Sequence, residues 1–120
     1  MLTAYKEPPI IEVLVNEVEE GYMNQYLSMD HEIWTLKESK LPGYLGKDTW
    51  INKTYPNRVI HIIYWQNKEV WKNISPDFIE MLKRKVDACF PKEKVKRVKT
   101  YHLDNELYKL LEFRNDRKII

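Results

Sequence analysis

The chain has 120 residues, 43% of them hydrophobic, and a net charge of +2, which is typical of a globular domain with one core. We expect a single domain over residues 1–120, with its core over about 10–103 and a C-terminal extension over 104–120. The near balance of charge excludes a strongly polyanionic or polycationic interaction protein. Cys89 is the only cysteine, which excludes an intrachain disulfide and a thiolate zinc cluster and fits a reducing cytoplasm.

Sequence signals for nucleotide binding and for membranes are missing. Glycine occurs only at positions 21, 43 and 46, so no Gly-rich loop can cradle a phosphate, which argues against P-loop and dinucleotide-binding enzymes. No stretch approaches the roughly 20 apolar residues of a membrane helix. The N-terminus has no basic flank followed by an apolar run, so we expect a cytoplasmic protein without a secretion signal.

The first third of the chain predicts a lead-in, a strand and a helix. Residues 1–9 end in Pro8-Pro9, which cannot sit inside a sheet ladder, so we expect them to be irregular. Ile10 to Val18 predicts a strand with apolar residues on both faces. Tyr22 to Lys40 predicts a helix, which Pro42-Gly43 ends because proline cannot continue it and glycine supplies a turn.

The predicted helix carries a carboxylate in the middle of an apolar stripe. Met23, Leu27, Asp30 and Trp34 follow one another at steps of four, three and four, which places them on one helical face. A carboxylate there must be hydrogen-bonded, be ion-paired or have a raised pKa. Asp30 is therefore a candidate acid or base in a pocket wall. The alternatives are a satisfied structural carboxylate and a helix rotated to turn Asp30 to water.

The rest of the chain predicts three more strands and three helices. Ser75-Pro76 is a good helix start, since serine caps the helix and proline fits its first position. The predicted strands are Leu45 to Lys53, Arg58 to Trp65 and Val95 to Leu103. The predicted helices are Lys68 to Ile74, Pro76 to Phe90 and a terminal one at Asp104 to Phe113.

The order of the core elements is β-α-β-β-α-β, which predicts an α+β, ferredoxin-like split βαβ fold: a four-stranded antiparallel sheet with helices on one face. The strand Arg58 to Trp65 is almost continuous in large residues, and a strand with two apolar faces is covered on both sides. We therefore expect a homodimer in which a second subunit covers the free face of the sheet.

Two segments and several aromatic positions carry a family resemblance: Asp30-His31-Glu32-Ile33-Trp34-Thr35, Leu41-Pro42-Gly43-Tyr44-Leu45-Gly46-Lys47, Trp50, Trp65, Trp71-Lys72 and Tyr101. They resemble an uncharacterised cyanobacterial family of the dimeric α/β-barrel superfamily, to which the antibiotic biosynthesis monooxygenases also belong. The resemblance implies an eight-stranded barrel across a dimer and a pocket between the sheet and the helices of each subunit. It implies no activity, because a fold of this kind hosts many functions.

Better-known relatives in that superfamily include cofactor-free monooxygenases acting on polycyclic phenols, quinol oxygenases and haem-degrading monooxygenases. The haem-degrading pattern has an Asn on the first strand, a Trp and a His ligand. Here Asn16 lies two residues from the Asn position, and Trp71 matches only with a shift. Residues 77–90 contain no histidine, and haem without its proximal ligand is poorly held. We therefore disfavour haem degradation and expect no cofactor.

The candidate catalytic residues are Asp30 and His61. The candidate ligand-binding residues are Asn16, Trp34, Trp65 and Trp71. The four tryptophans together favour a flat slot for a planar ligand, although any single Trp more often packs in the core or the dimer interface. A lone strand histidine is more often a packed, hydrogen-bonded residue than a catalytic one. His31, His61 and His102 lack the spacing of a metal site, so we expect no metal.

Three functions compete at this point. The first is binding of a small apolar, planar ligand without turnover, and the second is cofactor-independent monooxygenation of a phenol or quinol. The third is a structural or interaction role, for which residues 83–99 offer eight basic and two acidic side chains. That basic stripe lacks the aromatic motif of an RNA-binding sheet, so we expect a solvated face rather than a nucleic-acid partner.

Overall fold

The structure is a computed structural model, and it describes residues 2–3, 9–103 and 112–113, with side chains over 9–100. Its main sheet has four antiparallel strands, β2 (Ile10–Val18), β3 (Tyr44–Ile51), β4 (Arg58–Trp65) and β5 (Val95–Leu103). The strands are ordered β3-β4-β2-β5 across the sheet. This is the order of a split βαβ fold, and the predicted ferredoxin-like α+β architecture is confirmed.

The helices lie on one face of this sheet. Between β2 and β3 the chain forms α1 (Met23–Met29), a π-helix (Asp30–Thr35) and α2 (Leu36–Glu38), which run on without a break. The sequence predicts this segment as one ordinary helix, and the π-helical middle is a difference. After β4 come α3 (Lys68–Lys72), α4 (Pro76–Cys89) and a short 3-10 turn (Lys92–Lys94). Ser75 caps α4 as predicted, since its hydroxyl accepts a hydrogen bond from the Phe78 amide.

The chain ends differ from the prediction. β1 (Leu2–Thr3) pairs antiparallel with β6 (Glu112–Phe113) in a separate two-stranded sheet. The prediction of an irregular lead-in over residues 1–9 is therefore wrong at β1. The predicted terminal helix Asp104 to Phe113 is wrong at its last two residues, and residues 104–111 lie outside the described part. Each of these two-residue strands is stabilised by hydrogen bonds to the other, which lies far away in the sequence. A local sequence pattern therefore cannot predict them.

Alternation along β4 decides which side chains face the helices. Val59, His61, Ile63 and Trp65 are buried, whereas the residues between them are only half-buried. The pairing register places Leu14 of β2 opposite His61, and paired residues share a face. The helix-covered face of the sheet therefore carries every second residue of β4 and β2, including His61.

The buried apolar residues form two separate groups between the sheet and the helices. The first core cluster is Val18, Tyr26, Met29, Val59 and Phe90. The second core cluster is Ile10, Ile63 and Trp65. In β2, Ile10 and Val18 are eight residues apart, which is about 26 Å along a strand. The two clusters therefore leave a gap in the layer between the sheet and the helices.

Candidate functional site

A cavity of about 570 Å³ lies between the sheet and the helices. Its wall includes Tyr26 and Met29 of the first core cluster and Ile63 of the second, so it occupies the gap between them. This volume is in the range of pockets for small organic ligands. We call it the sheet–helix cavity.

Apolar side chains cover much of its wall. Trp34 comes from the π-helix, and Ile79 and Val86 come from one face of α4 because they are seven residues apart. Leu14 and Ile63 form the floor on the sheet. The apolar walls favour a ligand with a hydrophobic body.

The π-helix brings two polar residues to one lysine. The Lys47 Nζ donates to Asp30 Oδ2 at 2.7 Å and to Thr35 Oγ1 at 2.9 Å. Residues five apart lie about 140° apart around an α-helix, but they come to one side where hydrogen bonds run from i to i+5. The widened turn therefore allows both Asp30 and Thr35 to contact Lys47, and it fixes the carboxylate at the cavity wall.

A chain of hydrogen bonds crosses the cavity from β5 towards β4. The Arg97 Nε donates to Asn16 Oδ1, and Asn16 Nδ2 donates to the Tyr26 hydroxyl oxygen at 2.7 Å. Arginine can only donate, so the Asn16 oxygen must face Arg97 and the amide nitrogen must face Tyr26. The Tyr26 hydroxyl lies 2.7 Å from His61 Nε2, which continues the chain.

The other nitrogen of His61 fixes the direction of these hydrogen bonds. His61 Nδ1 lies 3.1 Å from Thr49 Oγ1 and 3.7 Å from Asp30 Oδ2. A carboxylate can only accept, so a proton on Nδ1 is favoured by its field. The Nε2 atom of neutral His61 then accepts from the Tyr26 hydroxyl. We assign the order Asp30, His61, Tyr26 from these partners.

Burial keeps His61 neutral near pH 7. His61 is 2% exposed, and burial lowers its pKa from 6.5 to about 4, helped by the positive charges of Lys47 and Arg97 and opposed by Asp30. Burial also raises the pKa of the Tyr26 hydroxyl, with a further contribution from Asp30. The pair is therefore an uncharged hydroxyl beside an uncharged imidazole.

A second polar region of the wall contains two carboxyl groups. Glu38 of α2 is buried, and Glu12 of β2 lines the same cavity and accepts a hydrogen bond from Trp65 Nε1 at 3.4 Å. Burial raises the pKa of Glu38 to about 7, helped by the Glu12 and Asp30 carboxylates and opposed by Lys47. This carboxyl group can exchange a proton near neutral pH.

Four of the six predicted site residues lie at the sheet–helix cavity: Asp30, His61, Asn16 and Trp34. Trp65 is fully buried in the second core cluster, and Trp71 packs against that cluster. Neither of these two residues lines the cavity, so the structure does not support the prediction that they bind the ligand. The roles of all six residues remain predictions.

Sequence reasoning missed several polar residues of the wall: Glu12, Tyr26, Glu38, Lys47 and Arg97. Two of them had a usable signal. Tyr26 lies four residues before Asp30, so the two are neighbours on the helix. Glu12 alternates with apolar residues in a strand whose two faces are both apolar, so burial on one side could have been expected.

Across the described part of the chain, no three His, Cys, Asp or Glu side chains are grouped closely enough to hold a metal ion. A search of the described helices for one with the length and hydropathy of a membrane span finds none.

Solved structures share this fold at low sequence identity. An antibiotic biosynthesis monooxygenase-like protein from Bordetella bronchiseptica is 18% identical over 84% of this chain and all of its own, with a TM-score of 0.60. A similar protein from Deinococcus radiodurans is 11% identical over 92% of this chain and 98% of its own, again with a TM-score of 0.60. SnoaB, a cofactor-independent oxygenase from Streptomyces nogalater, is 12% identical over 92% of this chain and 96% of its own, with a TM-score of 0.57.

These similarities show the fold alone, because superfolds host many functions. No protein-family model and no curated protein sequence matches the chain. The expected likeness to the antibiotic biosynthesis monooxygenases is therefore confirmed for the fold. The narrower resemblance to a cyanobacterial family remains a prediction.

Proposed function

We propose that the protein binds a small, planar, largely apolar molecule with a phenol or quinol hydroxyl group in the sheet–helix cavity. The observation that carries this proposal is the placement of a neutral Tyr26–His61 pair in the wall of a cavity that apolar side chains also line. Aromatic and aliphatic walls favour the ring system, and a few fixed polar groups orient the ligand.

The hydroxyl of such a ligand has a defined partner. Tyr26 oxygen accepts one hydrogen bond from Asn16, and its proton goes to His61 Nε2. A second lone pair of that oxygen remains for a ligand hydroxyl. A ligand without a donor would leave this polar group unmatched, which costs affinity.

Binding is tested by isothermal titration of the protein with 2-naphthol and with naphthalene, which lacks the hydroxyl. We expect saturable 2-naphthol binding that is about tenfold tighter than that of naphthalene, because one buried hydrogen bond contributes about 1 kcal/mol or more. Val86→Trp, which fills the cavity wall, should abolish binding. Equal binding of both compounds, or unchanged binding in Val86→Trp, would contradict the proposal and favour the structural or interaction role.

The second candidate is cofactor-independent monooxygenation, and the chain from Asp30 through His61 to Tyr26 favours it. The ligand hydroxyl passes a proton to Tyr26 oxygen while Tyr26 passes its own to His61 Nε2, and the Asp30 carboxylate stabilises the resulting imidazolium. The ligand anion then reduces O₂: an anthrone reacts as its enol, which carries the hydroxyl, and overall its CH₂ group and O₂ become a carbonyl and water. Because the pKa of His61 is about 4, proton transfer to its imidazole is unfavourable near pH 7. We therefore place ligand binding before monooxygenation.

Oxygen uptake with anthrone tests the catalytic candidate. We expect uptake above a buffer control, and a loss of about a hundredfold in kcat in both Asp30→Asn and His61→Gln because each breaks the proton path. His31→Gln is the matched control, since His31 is exposed. No uptake by the wild type, or full activity in both variants, would exclude this reaction.

We also propose that the protein is a homodimer joined through the free face of the sheet. On this face Val13, Val15 and Ile62 are only half-buried, and Trp50, which pairs with Ile60, is 60% exposed. Proteins seldom leave a contiguous apolar face of a sheet in water. A second copy presents a matching face, which is the pattern of a two-fold interface.

Sedimentation at micromolar concentration tests the dimer. We expect the wild type to sediment as a dimer and Trp50→Glu to sediment as a monomer, because a charge would be buried in the apolar interface. Tyr55→Glu is the matched control, as Tyr55 is equally exposed in the turn before β4. A monomeric wild type, or a dimeric Trp50→Glu, would contradict this interface.

A further inference from the structure

The Glu38 carboxyl group is buried and has no hydrogen-bond partner among the described residues. It lines the sheet–helix cavity and is 8% exposed. No hydrogen bond from the described part of the chain reaches it, and the nearby Lys47 ammonium is already engaged by Asp30 and Thr35. A buried polar group in a native structure is normally satisfied, so a partner from outside the chain is the natural complement.

The surroundings of Glu38 select the charge of that partner. Two further carboxylates, Glu12 and Asp30, act on Glu38, and the Lys47 ammonium opposes them. The Tyr44 hydroxyl is also buried without a partner within the described residues. Burial raises the pKa of Tyr44 to about 12, and the nearby Glu38 and Asp30 charges contribute to this rise. A positively charged donor would relieve the repulsion between the carboxylates.

The strand β2 places this region away from the Tyr26–His61 pair. Glu12, Leu14 and Asn16 follow one another on the helix-covered face, so Glu12 and Asn16 lie about 13 Å apart along the strand. Asn16 bonds Tyr26, whereas Glu12 and Glu38 belong to the far region. On β2, the apolar side chain of Leu14 lies between Glu12 and Asn16.

We propose that Glu38 and Glu12 form an amine-binding subsite, so that the ligand is an aromatic compound with a hydroxyl at one end and a protonated primary amine at the other. This inference rests on the proposed binding of a planar phenol or quinol and adds the second polar group of that ligand. Charge-assisted hydrogen bonds from an ammonium to buried carboxylates are stronger than neutral ones.

Three naphthols test the subsite by isothermal titration at pH 8: 2-naphthol, 6-(aminomethyl)-2-naphthol and the neutral 6-(hydroxymethyl)-2-naphthol. We expect the ammonium compound to bind about tenfold or more tightly than the hydroxymethyl compound. In Glu38→Gln this ratio should fall to about one. Glu32→Gln, an exposed carboxyl on the same helical segment, is the control and should keep the full ratio.

The outcomes separate the subsite from the proposed function. If 2-naphthol binds but the ammonium compound has no advantage, or if the advantage survives in Glu38→Gln, the amine-binding subsite is overturned and the phenol site stands. If 2-naphthol itself does not bind, the proposed function fails, and the subsite fails with it.

Discussion

Lys47→Met is expected to lower the free energy of unfolding by about 3–5 kcal/mol, because it leaves the Asp30 carboxylate buried without its cation. The two charged atoms are 2.7 Å apart, and the side chains are only 6% (Lys47) and 11% (Asp30) exposed. Removing one partner of such a pair strands the other charge in a medium of low dielectric constant. Urea unfolding monitored by circular dichroism measures the loss.

Two controls show whether burial causes the loss. The double variant Asp30→Asn/Lys47→Met should recover most of the stability, because no lone charge remains. The pair Lys94–Glu19 has the same 2.7 Å separation, but its side chains are 28% (Lys94) and 56% (Glu19) exposed, so Lys94→Met should leave unfolding unchanged within error. A stable Lys47→Met, or equal effects at both lysines, would contradict the buried ion pair.

Glu38→Gln and His61→Gln should change the pH dependence of stability in opposite directions. The pKa of Glu38 rises from 4.5 to about 7 on folding, so between these values the unfolded chain has lost a proton that the folded chain keeps. Stability therefore falls as pH rises through this window. The pKa of His61 falls from 6.5 to about 4, so between these values the unfolded chain binds a proton that the folded chain does not, and stability rises with pH.

The two effects nearly cancel in the wild type and separate in the variants. Each shift of about 2.5 units corresponds to at most about 3 kcal/mol. Relative to wild type, Glu38→Gln should gain up to that amount from pH 4.5 to 7, and His61→Gln should gain a similar amount as pH falls from 6.5 to 4. Urea unfolding across pH 4 to 8 measures both differences. Differences that stay flat across this pH range would contradict the assigned burial of Glu38 and His61.

The main sheet and α4 were predictable because their signals are local. Short runs of large apolar residues mark β2 and β4, and Ser75-Pro76 marks the start of α4. The π-helix was not predictable, since a shift from i+4 to i+5 hydrogen bonds leaves no trace in composition. The pairing of β1 with β6 joins chain ends more than 100 residues apart, so it too lies beyond local patterns.

The candidate site was predictable only in part. Asp30 stands out because it interrupts an apolar stripe, but its partner Lys47 lies in a strand where a lysine normally faces water. The sequence did not determine which side of the sheet His61 faces. Both faces of β4 are apolar, and only the packing of the helices decides between them. Glu38 resembled an ordinary polar residue at a helix end, and its burial follows from the cavity that the tertiary fold creates.

The most direct test of a ligand hydroxyl beside a neutral histidine is nitrogen-15 NMR of the His61 ring during titration with 2-naphthol at pH 7. We predict a neutral ring with its proton on Nδ1, and a saturable shift of its Nε2 signal as the ligand binds Tyr26. The exposed ring of His31 should not respond. A charged His61 ring, or Nε2 signals that stay unchanged at saturating 2-naphthol, would contradict the proposed binding site.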